Sequence, residues 1–145
     1  MNISLEPLTG VNVRDGKGIN FAELICMGEK TIETRNTNSL KPYINKRVRI
    51  IRTGAKGIKA MVVGECTIGN PIIYKNELDF ESDYSKHLVT KDSGFWIKEN
   101  KIKYGYPIIN PVLYKNPYFA VGTGIIFRLN QLAPTDIDIN EIKKT

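Results

Sequence analysis

Lys30, Glu33 and Arg35 stand close together in a stretch that reads Gly-Glu-Lys-Thr-Ile-Glu-Thr-Arg over residues 28–35. Lysine and arginine bind phosphate or a polarised carbonyl, and a carboxylate accepts hydrogen bonds from a base edge or balances the cations. The β-branched residues favour a strand, whose alternation places Glu33 and Arg35 on one face and Lys30 on the other. The Glu33 and Arg35 pair is either a surface ion pair or the floor of a polar pocket, and both interpretations stay open.

A short helix is expected directly before this stretch. Asn20 followed by Glu23 is typical of a helix N-cap with its reciprocal acid, and Gly28 suits the position just past the other end. The sequence therefore predicts a helix over residues 21–27 that buries Ala22 and either Ile25 or its neighbour.

Several strands are expected around this helix. The alternation of Ile3 and Leu5 predicts a first strand, followed by a loop over residues 10–18. A half-buried strand over residues 46–52 would expose its arginines, and a further strand over residues 60–68 contains Glu65. A carboxylate in such apolar surroundings requires a cationic partner from a neighbouring strand.

The second half of the chain is expected to hold one weak helix, over residues 76–89, with Leu78, Tyr84 and Leu88 buried. His87, beside a lysine, is expected at the surface. The glycine and proline residues of the stretch 104–111 predict a strand with a bulge or a close backbone approach.

Trp96, Tyr104 and Tyr106 are the aromatic residues of greatest interest. Such side chains provide stacking for an unpaired base, and they also fill cores, so both interpretations stay open. The two tyrosines share a face only where the strand around Gly105 stays regular.

The fold class that these elements predict is α+β and mainly β. We expect a compact, closed or nearly closed β-barrel of about five to six short strands with two or three short helices. The barrel forms a single domain over residues 1–130, and residues 131–145 form a C-terminal tail or short helix.

Composition narrows the function without identifying it. The chain of 145 residues has a net charge of +6 and a pI near 9.3, which favours anionic partners, above all nucleic acid. It has no apolar run of transmembrane length and no secretory signal pattern, so a cytoplasmic location without a membrane partner is expected. Cys26, Cys66 and His87 lack metal-ligand spacing, so we expect two buried thiols, no metal and no cofactor.

Four pieces of the sequence, in order, resemble the ASCH family of the PUA-like superfamily. The first stretch matches the family's G-x-K-T-x-E-x-R pattern at every fixed position. The later pieces are Val48-Arg49-Ile50, Val63-Gly64-Glu65-Cys66, and Tyr104-Gly105-Tyr106 with Asn110-Pro111. The resemblance covers about residues 3–129.

The resemblance implies a small β-barrel with a cleft over the Lys30 to Arg35 strand. It also implies a module that binds RNA or a modified nucleoside or nucleotide; the sequence leaves the oligomeric state open. The implied ligand-binding residues are Lys30, Glu33, Arg35, Trp96, Tyr104, Tyr106 and Asn110.

Some members of the family are hydrolases, which provides the first alternative. One branch removes the acetyl group from acetylated cytidine with a threonine nucleophile, a lysine base and a glutamate; Lys30 and Glu65 correspond to the last two, but Glu33 occupies the threonine position. Another branch cleaves RNA, for which Lys30, Tyr104 and Ser93 are the candidates. Glu33 would oppose the lowered pKa that a lysine base requires. A protein-interaction module on the same barrel is the second alternative.

Overall fold

The computed structural model describes Ser4, residues 8–120 and the backbone of residues 126–128. Three short α-helices occur in this part of the chain: α1 (Phe21–Cys26), α2 (Glu77–Ser82) and α3 (Tyr84–His87), with a 3-10 turn at Lys41–Tyr43. The strands are β1 (Thr9–Arg14), β2 (Ile32–Arg35), β3 (Arg47–Thr53), β4 (Met61–Ile68), β5 (Ile72–Tyr74), β6 (Lys103–Phe119) and β7 (Ile126–Arg128).

The described strands join into one seven-stranded sheet that curls as a half-barrel. Its order is β2-β6-β4-β3-β1-β7, and β5 pairs with β6 beside this path. The pairing of β1 with β3 is parallel, and the other strand pairs are antiparallel. The predicted mainly β fold with short helices is confirmed. The predicted strand around Ile3 and the tail 131–145 lie outside the described residues.

The first described strand corrects the sequence analysis, which assigned residues 10–18 to a loop. In β1, Val11 and Val13 are 1% and 2% exposed, and both lie in the main core cluster. Their alternation with Asn12 and Arg14 is strand-like, but a glycine and polar neighbours obscured it. The segment pairs with β3 on one side and with β7 on the other. This pairing and the burial of its valines outweigh the weak strand preference of the local sequence.

Helix α1 confirms the predicted capping. The Asn20 Oδ1 accepts a hydrogen bond from the Glu23 N–H at 3.1 Å, and the Asn20 side-chain amide donates to the Glu23 carboxylate at 3.1 Å. Gly28 has a φ of +84°, in the left-handed region that glycine adopts without strain. Ala22 and Ile25 are fully buried, so α1 packs one face on the sheet.

Strand β3 is buried on both faces, which corrects the expected basic outer face. Val48 and Ile50 are buried as predicted, but Arg49 on the opposite face is 1% exposed. Its Nε donates to the Tyr114 hydroxyl at 3.1 Å, and its Nη2 donates to the Ser4 carbonyl at 2.9 Å. These hydrogen bonds offset the free-energy cost of burying the guanidinium charge.

The region predicted as one helix over residues 76–89 contains α2 and α3 instead. The expected buried residues Leu78 and Tyr84 are 76% and 45% exposed, whereas Phe80 and His87 are fully buried. The His87 ring stacks on Phe80 with centroids 4.1 Å apart, which corrects its expected surface position. Asp83, with φ −100° and ψ 18°, separates α2 from α3, and the half-buried Leu88 ends α3 in the left-handed conformation.

The bulges and close approach predicted for the glycine- and proline-rich strand are confirmed. The register between β4 and β6 shifts twice, between Val62 and Gly64 and between Glu65 and Thr67. A Cβ atom added at Gly105 would lie 2.7 Å from a Tyr74 ring carbon.

Cys26 and Cys66 are buried free thiols, as predicted. Burial is the main cause that raises the pKa of each, so both stay protonated near neutral pH. In the described part of the chain, no helix has the length and apolar character needed to cross a bilayer.

Candidate functional site

A cavity of about 360 Å³ opens beside β2, and its wall includes Lys30, Glu33 and Arg35. We call it the β2 pocket. Strands β1 and β2, the first residue of α1 and the start of β6 all contribute to it. The other lining residues are Asn12, Val13, Arg14, Phe21, Thr34, Asn36, Thr53, Val89, Phe95 and Lys103.

Lys30 enters the pocket from the turn that links α1 to β2. Its backbone N–H donates to the Leu24 carbonyl at 3.0 Å, and its side chain is 1% exposed. The ammonium donates to the His87 carbonyl and lies 4.7 Å from the centroid of the Phe21 ring. Its distance to Glu33 Oε1 is 3.9 Å. The ammonium is therefore buried but surrounded by electron-rich groups.

The surroundings of Lys30 lower its pKa to about 8. Burial is the largest cause, and the nearby cations Lys103 and Arg35 act in the same direction. Glu33 raises the pKa, as expected from the sequence, but its effect is smaller than that of burial. A lysine in this environment loses its proton far more readily than one in water.

Lys103 is a second buried lysine of the pocket and is 4% exposed. Its pKa is also lowered to about 8, mainly by burial, while Glu33 opposes the shift and Lys98 and Arg35 add to it. The sequence analysis did not assign Lys103 to the site. Its position at the start of β6 was the one available signal, because a strand residue beside β5 is enclosed by its neighbours.

Glu33 and Arg35 form an ion pair in the pocket wall, and Glu33 is only 8% exposed, so the structure favours the polar pocket over the surface ion pair. The Arg35 Nη2 lies 3.0 Å from Glu33 Oε2 and donates to the Asn12 carbonyl at 2.6 Å. The expected placement of Lys30 and Glu33 on opposite faces is wrong, because β2 begins at Ile32 and Lys30 lies in the turn before it.

The charge of the pocket is unbalanced. Arg14, Lys30, Arg35 and Lys103 line it, and Glu33 is the one carboxylate among the described lining residues. The apolar part of the wall comes from side chains that sequence reasoning did not assign to a site. They are Val13, Phe21, Val89 and Phe95.

Glu65 lies in a different polar cluster and does not line the β2 pocket. It is fully buried, and its Oε2 accepts a hydrogen bond from Arg47 Nε at 2.6 Å. Its Oε1 accepts from the Tyr114 hydroxyl at 2.6 Å and from the Ser4 N–H at 3.1 Å. The predicted cationic partner is confirmed, and these contacts account for a structural role.

The predicted stacking residues also lie away from the pocket wall. Tyr106 is fully buried in the main core cluster, and Tyr104 packs half-buried against that cluster. The Trp96 ring contacts Phe80 with centroids 5.0 Å apart. Exposed Asn110 accepts a hydrogen bond at its carbonyl from Arg47 Nη1 at 2.6 Å. Trp96 lies in the loop before β6, and alternation along β6 directs the two tyrosines away from the pocket.

Ser93 completes the set of residues that the sequence proposed. Its hydroxyl donates to the Thr90 carbonyl at 2.8 Å and accepts from the Phe95 N–H, so it stabilises the loop before the pocket residue Phe95. Within the described residues, no cluster of three or more histidine, cysteine, aspartate or glutamate side chains suits a metal ion.

Comparison with protein-family models and with curated proteins finds no match. Among solved structures, the chain is similar to ASCH from Zymomonas mobilis, with a TM-score of 0.62 and 13% identity over 84% of this chain and 87% of that chain. A serine-to-alanine variant of that protein aligns with a TM-score of 0.62 and 12% identity over 86% of this chain and 89% of the other. At this level of identity the similarity establishes the fold, which is that of ASCH domains.

Proposed function

We propose that this ASCH-fold protein is a binding module that takes an unpaired RNA base or a modified nucleoside into the β2 pocket. The observation that carries the proposal is the pairing of two buried lysines, Lys30 and Lys103, with an apolar wall in one cavity of about 360 Å³. Small-molecule pockets occupy about 300 to 1,000 Å³ and combine an apolar lining with a few polar groups that fix orientation. A nucleoside meets both conditions.

The chemistry of the wall suits a planar ligand that is rich in hydrogen-bond acceptors. The ammonium groups of Lys30 and Lys103 donate to ring carbonyls, and the Glu33 carboxylate accepts from an exocyclic amine. Phe21 and Phe95 lie with ring centroids 6.2 Å apart and an interplanar angle of 66°, so each offers its own apolar surface at the wall. These rings supply the contact that the sequence analysis assigned to Trp96 and the tyrosines.

The test is calorimetric titration of the protein with ordinary and modified nucleosides, acetylated cytidine included. Lys30→Gln and Lys103→Gln each replace one charged donor of the pocket with a shorter, neutral amide. We expect either change to weaken binding by about tenfold or more, since a hydrogen bond to a charged group contributes about 1.5–3 kcal/mol. Circular dichroism and a thermal melt establish that each variant is folded.

Lys46→Gln is the matched control for this titration. Lys46 is exposed and lies just before β3, whereas the pocket residue Thr53 lies at the far end of that strand. The proposal fails if no nucleoside binds, or if folded Lys30→Gln and Lys103→Gln proteins bind as tightly as the Lys46→Gln protein.

A small hydrolase is the second candidate, and the pKa of Lys30 favours it. An amine with a pKa of about 8 serves as a general base near neutral pH. On acetylated cytidine, Lys30 would take a proton from water as the water oxygen bonds to the acetyl carbon. The C–N bond would then break as the Lys30 ammonium returns this proton to the departing amine nitrogen, which gives cytidine and acetic acid, and the acid ionises in water.

Turnover of acetylated cytidine or RNA, measured against pH, tests this candidate. Because the base acts in its neutral form, the rate should rise with pH through about 8 and then level off. Lys30→Gln should abolish turnover. An active Lys30→Gln protein, or a wild-type protein that binds nucleosides without producing product, contradicts hydrolysis.

A further inference from the structure

A second groove adjoins the β2 pocket on its outer side. This groove has a volume of about 260 Å³ and is lined by Asn36, Lys98, Lys101 and Ile102. Asn36 directly follows β2 and lines the β2 pocket as well. One residue thus forms the boundary of both cavities, and we call the outer one the Asn36 groove.

A tight turn brings the two lysines of the groove together. The Lys101 N–H donates to the Lys98 carbonyl at 3.1 Å, and Asn100 adopts a φ of 59° inside this turn. The Cα atoms at the two ends of such a four-residue turn lie within about 7 Å of each other. The exposed side chains of Lys98 and Lys101 therefore extend from neighbouring points of the surface. Neither lysine forms an ion pair with a described carboxylate, although Glu99 lies within the turn itself.

The groove and the pocket also interact electrostatically. Lys98 contributes to the lowered pKa of Lys103 inside the β2 pocket. Solvated surface lysines are ordinary, but here the field of Lys98 extends into a buried site that already holds an excess of cations. An anion in the groove would relieve repulsion at both places, which couples its binding to occupancy of the pocket.

The two cavities differ in the chemistry that they offer. The β2 pocket has the Glu33 carboxylate and apolar walls, which are suited to a base. The Asn36 groove offers two cations, an amide and one apolar side chain, which suit a phosphate and its sugar. A nucleotide in the pocket with its phosphodiester in the groove satisfies both.

We propose that the turn from Lys98 to Lys101 binds a backbone phosphate of a single-stranded RNA while the adjoining nucleotide of that strand occupies the β2 pocket. The ligand of this protein is then a strand and not a free nucleoside. This inference rests on the proposed function, since it requires a base in the pocket.

The experiment compares a short single-stranded RNA of mixed sequence with free nucleosides and nucleoside monophosphates. Fluorescence anisotropy follows the labelled RNA at several salt concentrations for wild type, Lys98→Gln, Lys101→Gln and the double variant. Each phosphate contact on a single strand contributes about 0.7 to the slope of log affinity against log salt. Because both lysines contact the same phosphate, we expect the double variant to lose about 0.7 of that slope and about tenfold or more of its RNA affinity at low salt.

Free nucleosides should bind the double variant as tightly as wild type, because they do not reach the groove. Lys46→Gln is the matched control, and its salt slope should equal that of wild type. Lys30→Gln should weaken both RNA and nucleosides. A loss confined to RNA in the groove variants, with loss of both ligands in Lys30→Gln, supports the inference.

Other results overturn it in distinguishable ways. If the double variant keeps the wild-type salt slope while Lys30→Gln loses nucleoside binding, the groove inference fails and the proposed function stands. The groove inference alone also fails if polyglutamate competes as well as RNA, or if nucleoside monophosphates bind as tightly as the strand. If neither RNA nor any nucleoside binds wild type, the proposed function and this inference fall together.

Discussion

Replacement of Glu33 by glutamine tests the electrostatics of the β2 pocket with little change of shape. The Glu33 carboxylate raises the pKa of Lys30, which burial and neighbouring cations lower to about 8. Without that carboxylate, the neutral amine gains in relative stability. We therefore expect the pKa of Lys30 to fall further in Glu33→Gln.

The size of the fall follows from the distance of 3.9 Å between the Lys30 Nζ and Glu33 Oε1. Two unit charges about 4 Å apart interact by about 1 kcal/mol in water and about 4 kcal/mol at an effective dielectric constant of about 20. Arg35, 3.0 Å from the same carboxylate, already offsets part of its field, so the lower end applies. About 1.4 kcal/mol corresponds to one pKa unit, which would bring Lys30 from about 8 to about 7.

The assay is an NMR titration of protein labelled with ¹³C-lysine, in which the Cε signals report each ammonium. Lys30→Gln identifies the Lys30 signal, and Lys103→Gln identifies the other lysine whose pKa is lowered to about 8. Exposed Lys46 lies outside the β2 pocket and supplies an internal reference signal in every variant. If the pKa of Lys30 rises or stays constant in folded Glu33→Gln, the electrostatic explanation of this pocket is refuted.

Three further predictions concern stability, measured by urea unfolding. The pKa of Lys30 is about 8 in the folded protein and 10.5 for an ordinary lysine, as in the unfolded chain. Between these two pH values the unfolded chain therefore binds more protons than the folded protein. The free energy of unfolding of wild type should therefore rise with pH through this window, relative to that of Lys30→Met. At pH 7 the Lys30→Met protein should be about 1 to 3 kcal/mol more stable than wild type. Equal pH profiles of the two proteins would contradict this prediction. Tyr114→Phe should cost about 1 to 3 kcal/mol, because buried Glu65 loses the hydroxyl donor at 2.6 Å, while nucleoside affinity stays unchanged. Gly64→Ala should cost at least about 3 kcal/mol, because its Cβ would lie 2.1 Å from the Val112 carbonyl oxygen, and a wild-type unfolding midpoint would refute that geometry.

Features set by neighbours in the sequence were predictable. The cap of α1 depends on Asn20 and Glu23, three residues apart, and the structure has that hydrogen bond. The need of Glu65 for a cation followed from its apolar surroundings alone, and Arg47 provides it from the paired strand. The succession of short strands likewise predicted a mainly β fold, and the resemblance of four short motifs implied the ASCH fold that the solved structures share.

Features set by tertiary enclosure were not predictable. Lys103 and His87 are charged or polar types that usually face water, and packing against distant elements buries them here. The apolar pocket residues Phe21 and Phe95 resembled ordinary core residues, because a pocket wall and a core have the same local pattern. Tyr106 was assigned to ligand binding because, conversely, an aromatic core residue has the same local pattern as an aromatic pocket residue.

The hydrogen bond from Lys30 to the His87 carbonyl joins residues 57 positions apart. The Thr31 N–H also donates to the Lys86 carbonyl at 2.8 Å, so the entry to β2 is tied twice to the four-residue helix α3. Such a short helix is marginal by itself and depends on its tertiary contacts. Each local opening of α3 would hydrate Lys30 and return its basicity toward that of a free amine. The acidity of this one ammonium group thus reports whether a distant segment of the chain is docked.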